Sequence, residues 1–385
     1  MSLVISAVLA LTLAAPHALP PQTENSEPDT TIDAATRGRV IQGVLRRLEE
    51  GYVFPKTAHA MAQSIEGRAR RGEYDSIVSA QAFAHRLTQD LRSVSHDLHL
   101  HVAYSKAGVQ DEGPGGEPSP ADQTAHQIYG RRINWGLERA ERLNGNVGYL
   151  RIQSFDFDGK LADSALAAAM NFLANTDALI LDVRNNGGGD PTYVAAVCSY
   201  VMPANTLINK FYWRPQNRWD EFRTSKVTGH YYGTQKPIYV LTSDGTFSGA
   251  EEFAYDVQTQ RRGEIVGDTT GGGAHPGGMR EVSDGFGVWV PAGRAVNPVT
   301  GKDWEGTGVI PDVPVSAEAA LRTAHVRALR KILASERDPK RQETLRQVIE
   351  EVSRGSSAGC RYSSSARPNI RWISPRSSAC AIKYT

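Results

Sequence analysis

The sequence predicts an α/β protein with a small helical domain at its N-terminal end, and three observations carry that expectation. From about residue 131 onward, apolar runs of strand length alternate with runs of helical period, the pattern of a sheet covered by helices. Before residue 104 the apolar residues recur mostly at helical spacing. The 385 residues also exceed the usual span of one domain, so a large unit with a smaller companion is expected.

Taken in order, residues 3–15 form an apolar run too short to span a bilayer, followed by Pro16-His17-Ala18-Leu19-Pro20-Pro21. This reads as a signal peptide over residues 1–21, cleaved near Ala15 or Ala18, although its start lacks Lys or Arg. An exported protein, periplasmic or extracellular, is expected, held at a membrane only if that N-terminus stays uncleaved. After a short linker, Val40, Ile41, Val44, Leu45 and Leu48 mark a first helix ending before Gly51. A second helix is expected over 57–71 and a third over 79–94, where Phe83, Leu87, Leu91 and Val94 form one stripe. Residues 98–104 alternate with period two, a strand that would put His99 and His101 on one face and close a domain over 32–104.

Residues 105–130, rich in Gly, Pro, Asp and Glu, read as a flexible linker. The core is expected over 131–325. Its strands are read at 147–152, 178–183, 207–213 and 237–242, and its helices at 161–173, 191–202 and 249–260. Short strands follow around Ile265, Val282, Val288 and Val296. An amphipathic helix over 317–333 leads into a weakly patterned tail, so residues 326–385 are read as C-terminal helix and weakly ordered end.

The formal charge of +1, with basic residues scattered along the chain, argues against a nucleic-acid partner. Cys198 lies in an apolar helical run and reads as a buried small hydrophobe, whereas Cys360 and Cys380 lie in the polar tail and could pair in an oxidising compartment. No metal site and no cofactor are inferred.

Two segments carry chemistry. Ser248 falls where the strand over 237–242 gives way through a turn to a helix, so its hydroxyl should stand at a helix N-terminus, where first-turn N–H groups favour negative charge. Ser248-Gly-Ala-Glu251 equally reads as a capping box, with Ser248 a mere cap. The strand over 178–183 runs into Arg184-Asn-Asn-Gly-Gly-Gly-Asp190, and Pro191 opens a helix. Three glycines there suit an oxyanion hole, a phosphate nest or only a tight turn, although neither a dinucleotide fingerprint nor a P-loop is completed.

With a third segment near Glu305, these resemble one superfamily: the tail-specific or C-terminal-processing proteases, the tricorn protease core and the interphotoreceptor retinoid-binding protein repeats. The motifs are Gly51-Tyr-Val-Phe-Pro55, Asp97-Leu-His-Leu100, Gly148-Tyr-Leu-Arg-Ile152, the run from Asp182 to Gly189, Thr242-Ser-Asp-Gly-Thr-Phe-Ser-Gly-Ala-Glu251, Ile265-Val-Gly-Asp-Thr-Thr-Gly-Gly-Gly-Ala-His-Pro276 and Trp304-Glu-Gly-Thr-Gly-Val-Ile-Pro-Asp312. The resemblance implies a crotonase-like core of strand-strand-helix units beside the helical domain. In one branch a lysine within Thr-x-Gly-Lys-Gly activates the serine; here Thr269-Thr-Gly-Gly-Gly273 puts Gly272 at its place, and too little chain lies between Tyr104 and Asn146 for that branch's PDZ domain. The match is to the retinoid-binding-protein-like branch without a PDZ domain, whose peptidases use a histidine from the N-terminal domain.

The resemblance implies Ser248 as nucleophile, His99 as base and Glu305 as the acid that orients it, with the N–H groups of Gly249 and Gly188, or Gly189 if the turn is shifted, as oxyanion hole. Leu98 stands where tricorn-type enzymes relay the glutamate through serine, so Asp97 or Ser243 is a candidate to share that task. His96 and His275 are alternative bases, and any of the three histidines could be an ordinary surface residue. The expected function is an exported serine endopeptidase acting on polypeptides or their C-terminal tails. The alternatives are a non-catalytic binder of retinoid-like or lipid ligands, and an esterase.

Overall fold

The structure, a computed structural model, describes residues 29–111 and 120–355. The expected signal peptide, the Cys360–Cys380 region and part of the expected linker lie outside the described residues.

Helices α1 (Ala34–Gly51), α2 (Pro55–Arg70) and α3 (Ala80–Ser95) build the N-terminal part, and strand β1 (His101–Tyr104) follows. Asp33 and Ser79 cap α1 and α3 by accepting from Thr36 N and Ala82 N. The rest runs α4 (Pro120–Arg132), β2 (Leu137–Leu143), β3 (Val147–Ile152), α5 (Gly159–Leu173), β4 (Ala178–Asp182), α6 (Pro191–Ser199), β5 (Leu207–Trp213), β6 (Arg218–Arg223), β7 (Ile238–Thr242) and α7 (Gly249–Thr259). It closes with β8 (Glu264–Gly267), β9 (Gly277–Ser283), β10 (Phe286–Pro291), β11 (Gly293–Val296), β12 (Val313–Pro314), α8 (Ala317–Ser335) and α9 (Pro339–Arg354).

A six-stranded sheet in the order β12-β8-β7-β4-β3-β2 is parallel except for the β2–β3 pair. Helices α5, α6 and α7 cover one face, packing Leu166, Val194 and Phe253 against Leu150, Leu181 and Val240. Helices α8 and α9 cover the other, where Leu329, Ile332 and Leu345 meet Tyr149, Ile180 and Leu241. β4 and β7 are buried at every position, as expected of central strands with both faces covered. β2, β3 and α5 form one strand-strand-helix unit.

The second core joins the three N-terminal helices to a three-stranded antiparallel sheet, β1-β10-β9. Phe286, Val288 and Val290 of β10, late in the chain, are buried among Leu87, Leu91 and Leu48. The helical part therefore completes its core with a hairpin from the other end of the sequence.

Several elements depart from the sequence expectation. Residues 120–132, overlapping the end of the expected linker over 105–130, form α4. The strand over 98–104 starts only at His101, so His99 belongs to the preceding turn and does not share a strand face with His101. β2 and β6 were invisible because both are polar edge strands with mostly exposed side chains. Helix α9, inside the expected weakly ordered tail, buries only Leu345 and Val352, too thin a stripe to stand out.

Candidate active site

The site forms where the C-terminal ends of β4 and β7 meet the loop that leads into β1. At the end of β7, Ser248 adopts φ 53° and ψ −121°, a conformation that is strained for a residue with a side chain. A capping serine sits in extended geometry; Ser248 does not. Glu251 does reach back, accepting from Ser248 N–H at 2.8 Å.

Glu251 does more than a capping box requires. Fully buried, it also accepts from Thr270 Oγ1 (2.5 Å), Gly272 N (2.6 Å) and Gly273 N (2.8 Å), so one carboxylate ties the serine turn to the glycine loop. Gly272 has φ +87°, and the Gly306 and Gly308 backbones stand 3.2–3.3 Å from where its Cβ would be. A lysine side chain there would be strained and crowded.

The glycine turn after β4 lies against Ser248. A Cβ on Gly188 would fall 2.8 Å from Ser248 Cβ and 2.5 Å from Gly249 N, and one on Gly249 would fall 3.0 Å from Gly189 N. Only glycines permit this approach, and Gly188 and Gly189 have φ of +98° and +139°. The N–H of Gly188 is committed to Asn186 Oδ1 at 2.8 Å. Here that N–H is turned to Asn186, which favours the shifted alternative, Gly189, as the second donor. The N–H groups of Gly249 and Gly189 have no partner among the described residues and lie side by side. Asn186 locks the turn, with Nδ2 donating to Ile152 O (3.0 Å) and its own carbonyl accepting from Phe247 N (3.0 Å).

From the helical part, α3 ends at Ser95, and His96 follows as an exposed cap in the left-handed region (φ 56°). Arg92 fixes the next turn by donating to Leu98 O (2.5 Å) and Leu100 O (2.7 Å). The His99 ring then lies against Phe247, the residue before Ser248, with centroids 4.6 Å apart. Its Nδ1 is shielded from water and has no partner, and burial pushes the imidazole down to about 4. His101 turns away, bonding His99 O through Nδ1 (2.8 Å) and stacking on Trp289.

Asp97, His99 and Glu305 come together: one ligand-type atom from each lies within 4.8 Å of the others. Glu305 therefore meets the histidine region directly and needs no relay through Leu98, which points outward at 42% exposure. Asp97 accepts from Tyr52 Oη (3.1 Å), His99 N (3.0 Å) and His275 Nδ1 (2.8 Å). Burial opposes its charge, yet the His275 hydrogen bond and the neighbouring imidazoles hold the carboxyl below the usual aspartate range. Ser243 takes no part in this cluster; its hydroxyl accepts from Asn185 N and Gly245 N in the turn after β7.

His275 is buried between Asp97 and Glu305, its Nδ1 3.4 Å from Glu305 Oε2, with Phe54 edge-on to its ring. Burial works against its charged form, but the two carboxylates raise it above the ordinary histidine value. Glu305 accepts from Ala274 N at 2.5 Å, and burial pushes its carboxyl up to about 7. Asn186 and Tyr52 lie in the quoted motifs but were given no role of their own, and the hub role of Glu251 had as its signal only its place three residues after the serine.

An alcohol at a strained strand-to-helix turn, two uncommitted N–H donors beside it and a buried imidazole near two carboxylates are groups that acyl-transfer chemistry uses. Residues 146–315 match Peptidase family S41, and residues 34–129 match the N-terminal domain of Peptidase S41 in eukaryotic IRBP. Over these two segments the chain is similar to peptidase family S41. It is 29% identical over 173 residues to a carboxyl-terminal-processing protease of Synechocystis sp. (44% of this chain, 38% of that protein). It is 29% identical over 176 residues to the chloroplastic C-terminal processing peptidase of Tetradesmus obliquus (45% and 36%). The chain thus spans well under half the length of the curated relatives it matches. A lipoprotein from Streptococcus agalactiae shares the fold, with a TM-score of 0.51 at 16% identity over 76% of this chain and 96% of that one.

Proposed function

We propose that the chain is an exported serine endopeptidase that hydrolyses polypeptides or their C-terminal tails through an acyl-enzyme. The Ser248 oxygen attacks the peptide carbonyl while His99 takes its proton. The oxyanion is held by the Gly249 and Gly189 N–H groups, and the carbon–nitrogen bond breaks as His99 returns the proton to the leaving amine. Water, deprotonated by the same imidazole, then attacks the ester and releases Ser248. Glu305 and Asp97 orient His99 and stabilise its transient charge.

The observation that carries this reading is the Ser248 turn: strained backbone with two unused donors alongside. Family similarity and the names of the relatives support polypeptide as the substrate. No described helix is long and apolar enough to cross a membrane. Incubation with a fluorophosphonate probe and with an unfolded test protein is the direct test. Wild type should label at Ser248 and cut the protein, and Ser248→Ala should lower cleavage by on the order of 10⁴-fold or more. Labelling without cleavage would favour an esterase, and no labelling a ligand-binding protein.

A further inference from the structure

One cluster has a donor set that proton transfer alone does not use up. Asp97, His99 and Glu305 each present one donor atom within 4.8 Å of the others. Two buried atoms among them, His99 Nδ1 and Glu305 Oε1, have no hydrogen-bond partner. An unpaired buried polar atom is costly, and a cation between these groups would satisfy both.

An imidazole with two carboxylates is a nitrogen–oxygen set of the kind that holds zinc, whose bonds to such atoms run at about 2.0–2.2 Å. Ligand atoms around a tetrahedral ion at that bond length stand about 3.4 Å apart. The spacing here is somewhat wider, so side-chain rotation of about an ångström closes it. Magnesium and calcium fit poorly, because they require six or more oxygens or retained waters and gain little from imidazole. The geometry points to a site for one divalent transition-metal ion of the zinc type, ligated by Asp97, His99 and Glu305, with His275, which lies 2.8 Å from Asp97 and 3.4 Å from Glu305, neutral in the occupied form.

Two consequences follow. Asp97 and His99 come from the loop between α3 and β1 and Glu305 from the loop between β11 and β12, so the ion ties the helical part to the sheet core. It also engages the imidazole of the proposed base, so the occupied form is inhibited; this second consequence alone rests on the proposed function.

The test is calorimetric titration of zinc chloride into chelator-treated full-length Ser248→Ala protein, with thermal unfolding in parallel. This variant has no activity to lose, so metal binding stands or falls apart from the peptidase reading. One saturable site with a dissociation constant of about 10 μM or tighter is expected, with a raised melting temperature and no response to magnesium or calcium. His99→Gln and Glu305→Gln, each added to Ser248→Ala and checked for native circular dichroism without metal, should weaken binding at least about 30-fold. His59→Ala, an exposed histidine elsewhere, should not. Absence of saturable binding below about 1 mM, or binding that survives both glutamine variants, would overturn the site.

Discussion

Ser248 holds a backbone conformation that a merely structural cap would not need, and the residues around it divide the labour between two histidines. Burial disfavours a proton on His99, whose ring lies against the residue before the serine, whereas Asp97 and Glu305 favour one on His275. On this arrangement His99→Ala should abolish fluorophosphonate labelling. His96→Ala should leave it unchanged, and His275→Ala should slow it by no more than about tenfold. The reverse ranking would move the base to His275. Ser248, His99 and Glu305 could be singled out because each sits in a short motif, and the structure brings Glu305 to His99 and sets the His99 ring beside Phe247. The choice between Gly188 and Gly189 was not legible, since the Asn186 side chain that takes the Gly188 N–H is a matter of local geometry that no motif reveals.

Helix α7 joins catalytic placement to stability. Its first turn carries Glu251, on which four donors converge. Glu251→Ala would leave those donors without an acceptor in a buried place, and should destabilise the protein by about 3 kcal/mol or more in urea titrations. One turn further, Glu252 and Asp256 are buried side by side, and burial raises both carboxyls far above the ordinary range. The folded state retains protons there that the unfolded chain releases once pH passes about 4.5, so stability falls as pH rises from that point toward the raised folded values. Glu252→Gln should flatten this decline between pH 5 and pH 9, roughly speaking, in melting-temperature profiles; an unaltered slope would place the proton uptake elsewhere. At this scale the sequence was readable wherever burial imposes a pattern, as in β4, β7 and α7. It was silent for β2, β6 and α9, whose polar faces look like loop.

Across the whole molecule, sequence order and spatial order disagree at one place. Residues up to 104 read as a separate helical domain, yet their core contains Phe286, Val288 and Val290 from β10. A fragment comprising residues 29–111 should therefore lack a cooperative thermal transition by circular dichroism, because it loses the hairpin that fills its interior. Cooperative unfolding of that fragment would show the helices self-sufficient. Periodicity could assign each helix but not this exchange, since the partners lie nearly two hundred positions apart.

The hairpin also fixes where the reaction partners are anchored. The loop bearing Asp97 and His99 is rooted in one packed interior, while the turn bearing Ser248 is rooted in the other. A small rocking of one body on the other would pull imidazole from alcohol without disturbing either fold.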